Sequence, residues 1–202
     1  MSAAVTVSPL ITAPPAPVRR PRVLLVAAAF GAVASGLVVL TMLGAYLQVR
    51  GDRLADGVPA LPEGVVLPLT PGNMGLLTLA MSVITVAWLV HSLRHDDRTH
   101  AYLALGLTIL LGVAFLNVTA YLYQQMAMPF TMTGTSGLLY AVTGAHLVMV
   151  FVALVFLVVM GFQALGGQLT GRDAESMSAA ALYWYVTVAV YVAVWYGVYI
   201  TK

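Results

Sequence analysis

The sequence has no cysteine and very little charge. The missing cysteine excludes disulfides, thiolate metal sites and a cysteine nucleophile. Charged residues make up 8% of the 202 residues, against roughly 25% in a soluble globular domain. A chain with so few charges cannot clothe itself against water. No cluster of basic residues is interleaved with aromatics, and the net charge of +2 is small, so nucleic acid is excluded as a partner. No Gly-rich phosphate loop or Ser-His-Asp constellation stands out. There is no internal repeat of the kind that builds inverted-repeat transporters.

What is present is apolar. Hydrophobic residues make up 61% of the chain, and its mean hydropathy is +0.95. The default solvent is therefore lipid. Residues 1–21 differ: Pro14, Pro15, Pro17 and Pro21 lie among small residues and predict a flexible tail. Arg19, Arg20 and Arg22 then precede an apolar run from Val23 to Val49. That run exceeds the roughly 7–15 residues of a signal-peptide core, so it reads as a retained span. Further runs at about 72–93, 101–123, 137–165 and 178–200 each suffice to cross a bilayer. Each must be a helix, because a lone strand cannot satisfy its backbone in hydrocarbon. The expected fold is all-α: a five-helix integral membrane bundle spanning residues 22–202.

Lys and Arg set the expected orientation. Arg19, Arg20, Arg22, Arg94, Arg98 and Arg172 fall on one side, and Arg50, Arg53 and Lys202 on the other. The excess places the N-terminus inside and the C-terminus outside. The seven acidic residues all lie in the connections: Asp52, Asp56, Glu63, Asp96, Asp97, Asp173 and Glu175. Proton relays, cation pathways and intramembrane proteases need ionisable groups at depth. Without them, a free-standing transporter or membrane enzyme is a weak alternative.

His146 is the ionisable residue in the middle of a span. It can be a ligand or hydrogen-bond partner for a neighbouring subunit. It can also be a neutral histidine held between helices, with Thr143 on the same face as a local partner. One histidine does not hold a haem or metal without further ligands. His91, His95 and His100 surround Asp96 and Asp97, and read as a hydrated turn rather than a metal site. Asn73 opens the second predicted span as a candidate cap. Ser82 and Thr85 share a helix face. Small residues four apart, Gly31 with Ser35 and Ala32 with Gly36, permit close helix approach. Tyr183, Trp184 and Tyr185 begin the fifth span and Trp195, Tyr196 and Tyr199 end it, as an aromatic belt would.

From Asn73 onward, the order of motifs resembles the subunit III family of haem–copper oxidases. The segments are Asn73-Met-Gly-Leu-Leu through Ser82-Val-Ile-Thr85, the turn from His91 to His100, and Leu111-Gly-Val-Ala-Phe115. Ala120-Tyr121, Tyr123, Pro129-Phe130-Thr131, Thr143-Gly144-Ala145-His146, Tyr183-Trp184 and Tyr199 follow in order. The first span matches only through Ala45-Tyr46-Leu47 and Arg50. The layout is similar to the short five-helix bacterial form, whose orientation agrees with the charge count.

The departures fall on ionisable positions. Ser35 and Leu122 stand where the family has glutamates, Thr119 where it has glutamine, and Met149 where it has a second histidine. Tyr185 and Val188 stand where it has His and Asp. Roles that depend on those groups do not carry over; packing does. The resemblance implies a non-catalytic subunit with no cofactor or metal of its own. It implies haem and copper in partner subunits, contact with subunit I and subunit II, bound phospholipid, a bacterial plasma membrane and membership of a respiratory supercomplex. His146, Thr143, Tyr185 and Asn73 are expected to make hydrogen bonds within the membrane. Ser35, Trp88 and Trp184 are expected to touch lipid or a subunit. An accessory protein of a nitric oxide reductase or quinol oxidase, and an assembly factor, are the alternatives.

Overall fold

The computed structural model describes residues 22–59, 61, 65, 67–126, 128, 134–166 and 174–201. The tail at 1–21, the Pro129-Phe130-Thr131 motif, Arg172, Asp173, Glu63 and Lys202 lie outside the described residues. Five helices run in order: α1 Val23–Ala55, α2 Leu69–Arg94, α3 Arg98–Met126, α4 Thr135–Leu165 and α5 Ala174–Trp195. A single π-helical turn, Tyr196–Ile200, continues α5. All five are long and apolar enough to cross a membrane. At about 1.5 Å per residue, even α5 is roughly 33 Å long, against about 30 Å of hydrocarbon.

Most helices outrun the apolar segments that predict them. The backbone bonds of a helix do not depend on apolar side chains, so α1 continues through Arg50, Asp52 and Arg53 beyond the apolar run. α2 begins at Leu69, two residues ahead of Pro71. Proline is harmless there, because the first four N–H groups of a helix have no partner within it. Asn73 is consequently the fifth residue of α2 and not its cap, which corrects the sequence expectation; Pro68 occupies the N-cap position.

α2 and α3 form a tight antiparallel pair across a turn in which Asp96 takes a positive φ of 55°. α5 packs against α1, α2 and α4, while α3 closes the bundle against α2 and α4. The core is closely packed. An added Cβ on Gly112 would lie 2.5 Å from Leu154 Cδ2 and 2.8 Å from Trp184 Cη2, so only glycine lets α3 come this near to α4 and α5. The small residues of α1 serve the same end within the chain: Ala32 is fully buried and Gly36 faces Val190 of α5. Lipid is as apolar as leucine, so burial from water does not drive these contacts; packing and interhelical hydrogen bonds do.

Candidate functional site: a polar seam through the bundle and a cleft at one end

The seam begins with serine and threonine hydroxyls that first satisfy themselves on their own helix. Ser82 donates to the Leu79 carbonyl at 2.6 Å, and Thr85 to the Ser82 carbonyl at 3.0 Å. Thr108 donates to Ala104 at 2.8 Å and Thr187 to Tyr183 at 2.8 Å. Each oxygen keeps a lone pair for a neighbouring helix. Trp184 Nε1 donates to Ser82 Oγ at 2.9 Å, joining α5 to α2. Thr85 and Thr108 Oγ1 lie 2.8 Å apart between α2 and α3, and one of the two hydroxyls turns from its own helix carbonyl to donate across the pair. Tyr123 donates to Thr143 Oγ1 at 2.8 Å between α3 and α4, and Thr143 donates to Leu139. Ser35 and Tyr183 share a 3.1 Å bond between α1 and α5.

His146 sits at the centre, 2% exposed. Its Nε2 lies 3.0 Å from the Thr187 carbonyl of α5. A carbonyl only accepts, so Nε2 carries the proton. Phe115 meets the imidazole edge-on at 5.8 Å, and Tyr191 lies 5.1 Å away. Phe115 and Tyr191 are themselves edge-on at 4.9 Å. The Tyr191 hydroxyl donates to the Gly72 carbonyl of α2 at 3.2 Å. Beside the histidine lies a cavity of about 10 Å³, lined among others by Thr119, Thr143, His146 and Tyr191. It is the size of one water molecule.

At the end of the bundle where α5 stops, Arg50 is buried. Its Nη1 donates to Thr201 Oγ1 at 2.9 Å, and its Nη2 donates to the Thr201 carbonyl. A cation at the negative pole of α5 is favourable. Trp195 Nε1 donates to Asn73 Oδ1 at 2.9 Å nearby.

The opposite end carries an open cleft of about 580 Å³ between α1, α2 and α5. Leu25, Ala87, Val90, Ala181 and Leu182 give it apolar walls, and His91, Arg94, His95 and Tyr185 give it a polar rim. Asp97 begins α3 there, accepting the His100 N–H at 3.2 Å and His100 Nδ1 at 2.6 Å. The backbone N–H of His100 holds the Asp97 carboxyl below the usual carboxylate range. Among the described residues, no three His, Asp or Glu side chains come together as metal ligands.

The candidate residues thus separate. His146, Thr143, Trp184, Ser35 and Asn73 join the interhelical bonds, but Thr143 pairs with Tyr123 and not with His146. Trp184 is fully buried and Tyr183 is 8% exposed, so neither belongs to an aromatic belt or a lipid-facing surface as the sequence suggests. Ser82 and Ser35 supply the hydroxyls that draw them inward. Tyr185 is half-buried on the cleft, with no hydrogen bond to its hydroxyl among the described residues. Trp88 is also half-buried, 5.7 Å from the His100 ring. Sequence reasoning misses Thr187, Tyr191, Thr108 and Thr201. The signal for two of them is in the sequence: Tyr183, Thr187 and Tyr191 recur every four residues on one face of α5.

The comparisons fall on this same seam. The family model for cytochrome c oxidase subunit III matches residues 55–202, which take in all of α2 to α5. The chain belongs to the cytochrome c oxidase subunit III family. It is similar to the probable cytochrome c oxidase subunit 3 of Rickettsia conorii, at 31% identity over 157 residues, 73% of this chain and 56% of the relative. It is 34% identical to cytochrome c oxidase subunit 3 of Bos taurus over 143 residues, 68% of this chain and 54% of the relative. The chain spans about half the length of the curated relatives it matches. The resembling motifs of the subunit III family supply seam residues: Gly112 and Phe115 from one, Thr143 and His146 from another, and Tyr183 and Trp184 from a third.

Proposed function

We propose that this chain is the five-span subunit III of a bacterial aerobic terminal oxidase. It carries no redox centre and packs beside the subunits that hold haem and copper. The observation that carries this reading is the family match across α2 to α5, where the matched motifs form one interlocked core. The N-terminal end of α1 and the α2–α3 turn face the cytoplasm, a reading supported by the excess of Lys and Arg on that side.

The role is mechanical. Hydrogen bonds along the seam fix the five helices relative to one another, so the outer faces of the bundle offer subunit I a rigid surface. Subunit II and lipid complete the contacts. The large cleft holds a phospholipid: Arg94 and the two histidines take the headgroup, and the apolar walls take the acyl chains. Retained lipid and fixed helices keep the neighbouring subunit's proton entrance in shape, supporting electron transfer to oxygen without a catalytic residue here. The tail of residues 1–21 lies on the cytoplasmic side.

A tagged copy extracted in gentle detergent tests this by its reduced-minus-oxidised visible spectrum. Haem a bands with copper in the eluate are expected. Haem b with non-haem iron and no copper would move the chain to a nitric oxide reductase. A colourless eluate holding this chain alone would sink the oxidase reading.

A further inference from the structure

The hydroxyls around His146 have already committed their protons. Thr119 donates to the Phe115 carbonyl at 3.0 Å and Thr143 to the Leu139 carbonyl at 2.8 Å, each on its own helix. Tyr123 donates to Thr143, and Tyr191 to the Gly72 carbonyl. The imidazole has done the same, because its Nε2 proton points at the Thr187 carbonyl. Nδ1 is left as a bare acceptor on a side chain that is 2% exposed. Among the described residues, no hydrogen bond reaches it.

Thr119, Thr143, His146 and Tyr191 line one cavity of about 10 Å³, and each can offer it only a lone pair. Tyr199 is the remaining polar residue of the wall. It is 4% exposed and makes no hydrogen bond among the described residues, so its hydroxyl proton is still uncommitted. Two glycines of α2 give these tyrosines their room. A Cβ on Gly72 would lie 3.2 Å from the Tyr199 ring, and a Cβ on Gly75 would lie 2.7 Å from Tyr191 Oη. A ring nitrogen and a phenol without partners are costly to bury, and here both line the same small space.

We propose that this cavity is a binding site for one water molecule. A wall of acceptors suits a ligand that donates, and the volume suits one of this size. The water accepts a hydrogen bond from Tyr199 and donates one to His146 Nδ1. Its second hydrogen goes to Thr119 Oγ1, which accepts nothing else, whereas Thr143 Oγ1 already accepts from Tyr123. Three bonds are usual for a buried water. An anion would meet only lone pairs from four of the five polar residues, and an apolar gas would leave Nδ1 unpaired. The imidazole is then fixed from both sides, with Thr187 on Nε2 and the water on Nδ1, which sets its tautomer. The water also joins α3, α4 and the π-helical turn in one three-way contact. This inference rests on the geometry of the chain alone and stands whether or not the oxidase reading holds.

The test is a density map of the assembled complex, at a resolution that shows ordered water, for wild type, Tyr199→Phe and the control Tyr196→Phe, whose side chain is 58% exposed. Wild type and control should show a peak within hydrogen-bond reach of His146 Nδ1, and Tyr199→Phe should lose it. Thermal unfolding of the full chain in detergent supplies a second readout. Tyr199→Phe and Thr119→Val should each melt earlier than Tyr196→Phe. The double variant should lose less than the sum of the two, because both act through the same water. Strictly additive losses would overturn the proposal, as would a wild-type map without the peak or a peak that persists in Tyr199→Phe. A peak that gains anomalous signal after exchange into rubidium would assign the site to a cation and overturn it as well. So would a Tyr199 hydroxyl bonded to a side chain of a partner subunit.

Discussion

α1 and α5 are both apolar spans and neighbours in the bundle, yet they meet opposite surroundings. α1 has the more apolar stretch of the two, and only 22% of that stretch is buried; α5 is less apolar and 61% buried. In water that ranking would be reversed. In lipid, apolar side chains gain nothing by turning inward, so α1 can leave Phe30, Val33 and Leu37 on its surface. The hydroxyls, rings and imidazole need partners, and those partners are other helices. The polar side chains therefore mark the inside: Tyr183, Trp184, Thr187 and Tyr191 of α5 are all buried. The family model begins at residue 55, after all but the last residue of α1. The helix whose apolar stretch is least buried is the one outside the match.

This contrast can be broken by substitution. Trp184→Ala should have the largest effect, lowering stability by about 3–5 kcal/mol through the cavity it leaves. Phe30→Ala, removing a ring that is 74% exposed, should leave the thermal unfolding of the purified chain in detergent unchanged. If the two losses are equal, the contrast between α1 and α5 is wrong. Gly112→Val should follow, at about 1–3 kcal/mol, because α3 must back away from Leu154 and Trp184. His146→Leu should cost only about 1 kcal/mol, since a single interhelical hydrogen bond is lost and the site stays filled. A drop comparable to that of Trp184→Ala would show that the imidazole does more than bridge to Thr187.

The smallest effect is expected outside the membrane. The native Asp97 carboxyl lies below its usual range, so it favours the folded state above the unfolded value of about 3.9. That contribution disappears as pH falls through the lowered native value. Asp97→Ala should therefore melt slightly earlier than wild type at pH 7, with the gap closing towards pH 3. A gap that persists in acid would assign the effect to something other than the carboxylate.

The five spans are legible in the sequence because lipid imposes length and polarity on them. The family is legible too, because its motifs follow in order. The helix faces are harder to read. An apolar residue in a span can point to lipid or to a helix, and periodicity does not distinguish them. Trp184 and Tyr185 are adjacent and similar, but one is fully buried and the other lines a cleft. The difference lies in Ser82, which is 102 residues away in the chain and waits on α2 for the indole. Asn73 misleads for a local reason: proline tolerates the first turn, so α2 begins ahead of it.

The contact between Arg50 and Thr201 also bears on how the molecule is made. The two residues are 151 positions apart. At about 5–20 residues per second, the ribosome needs roughly 8–30 s to pass from one to the other. Throughout that interval Arg50 has no Thr201 to bind, and α1 stands in the bilayer without the helix it packs on most. The bundle closes only when its last span has been delivered beside its first. A translocon or chaperone that keeps α1 from drifting away would act in that window.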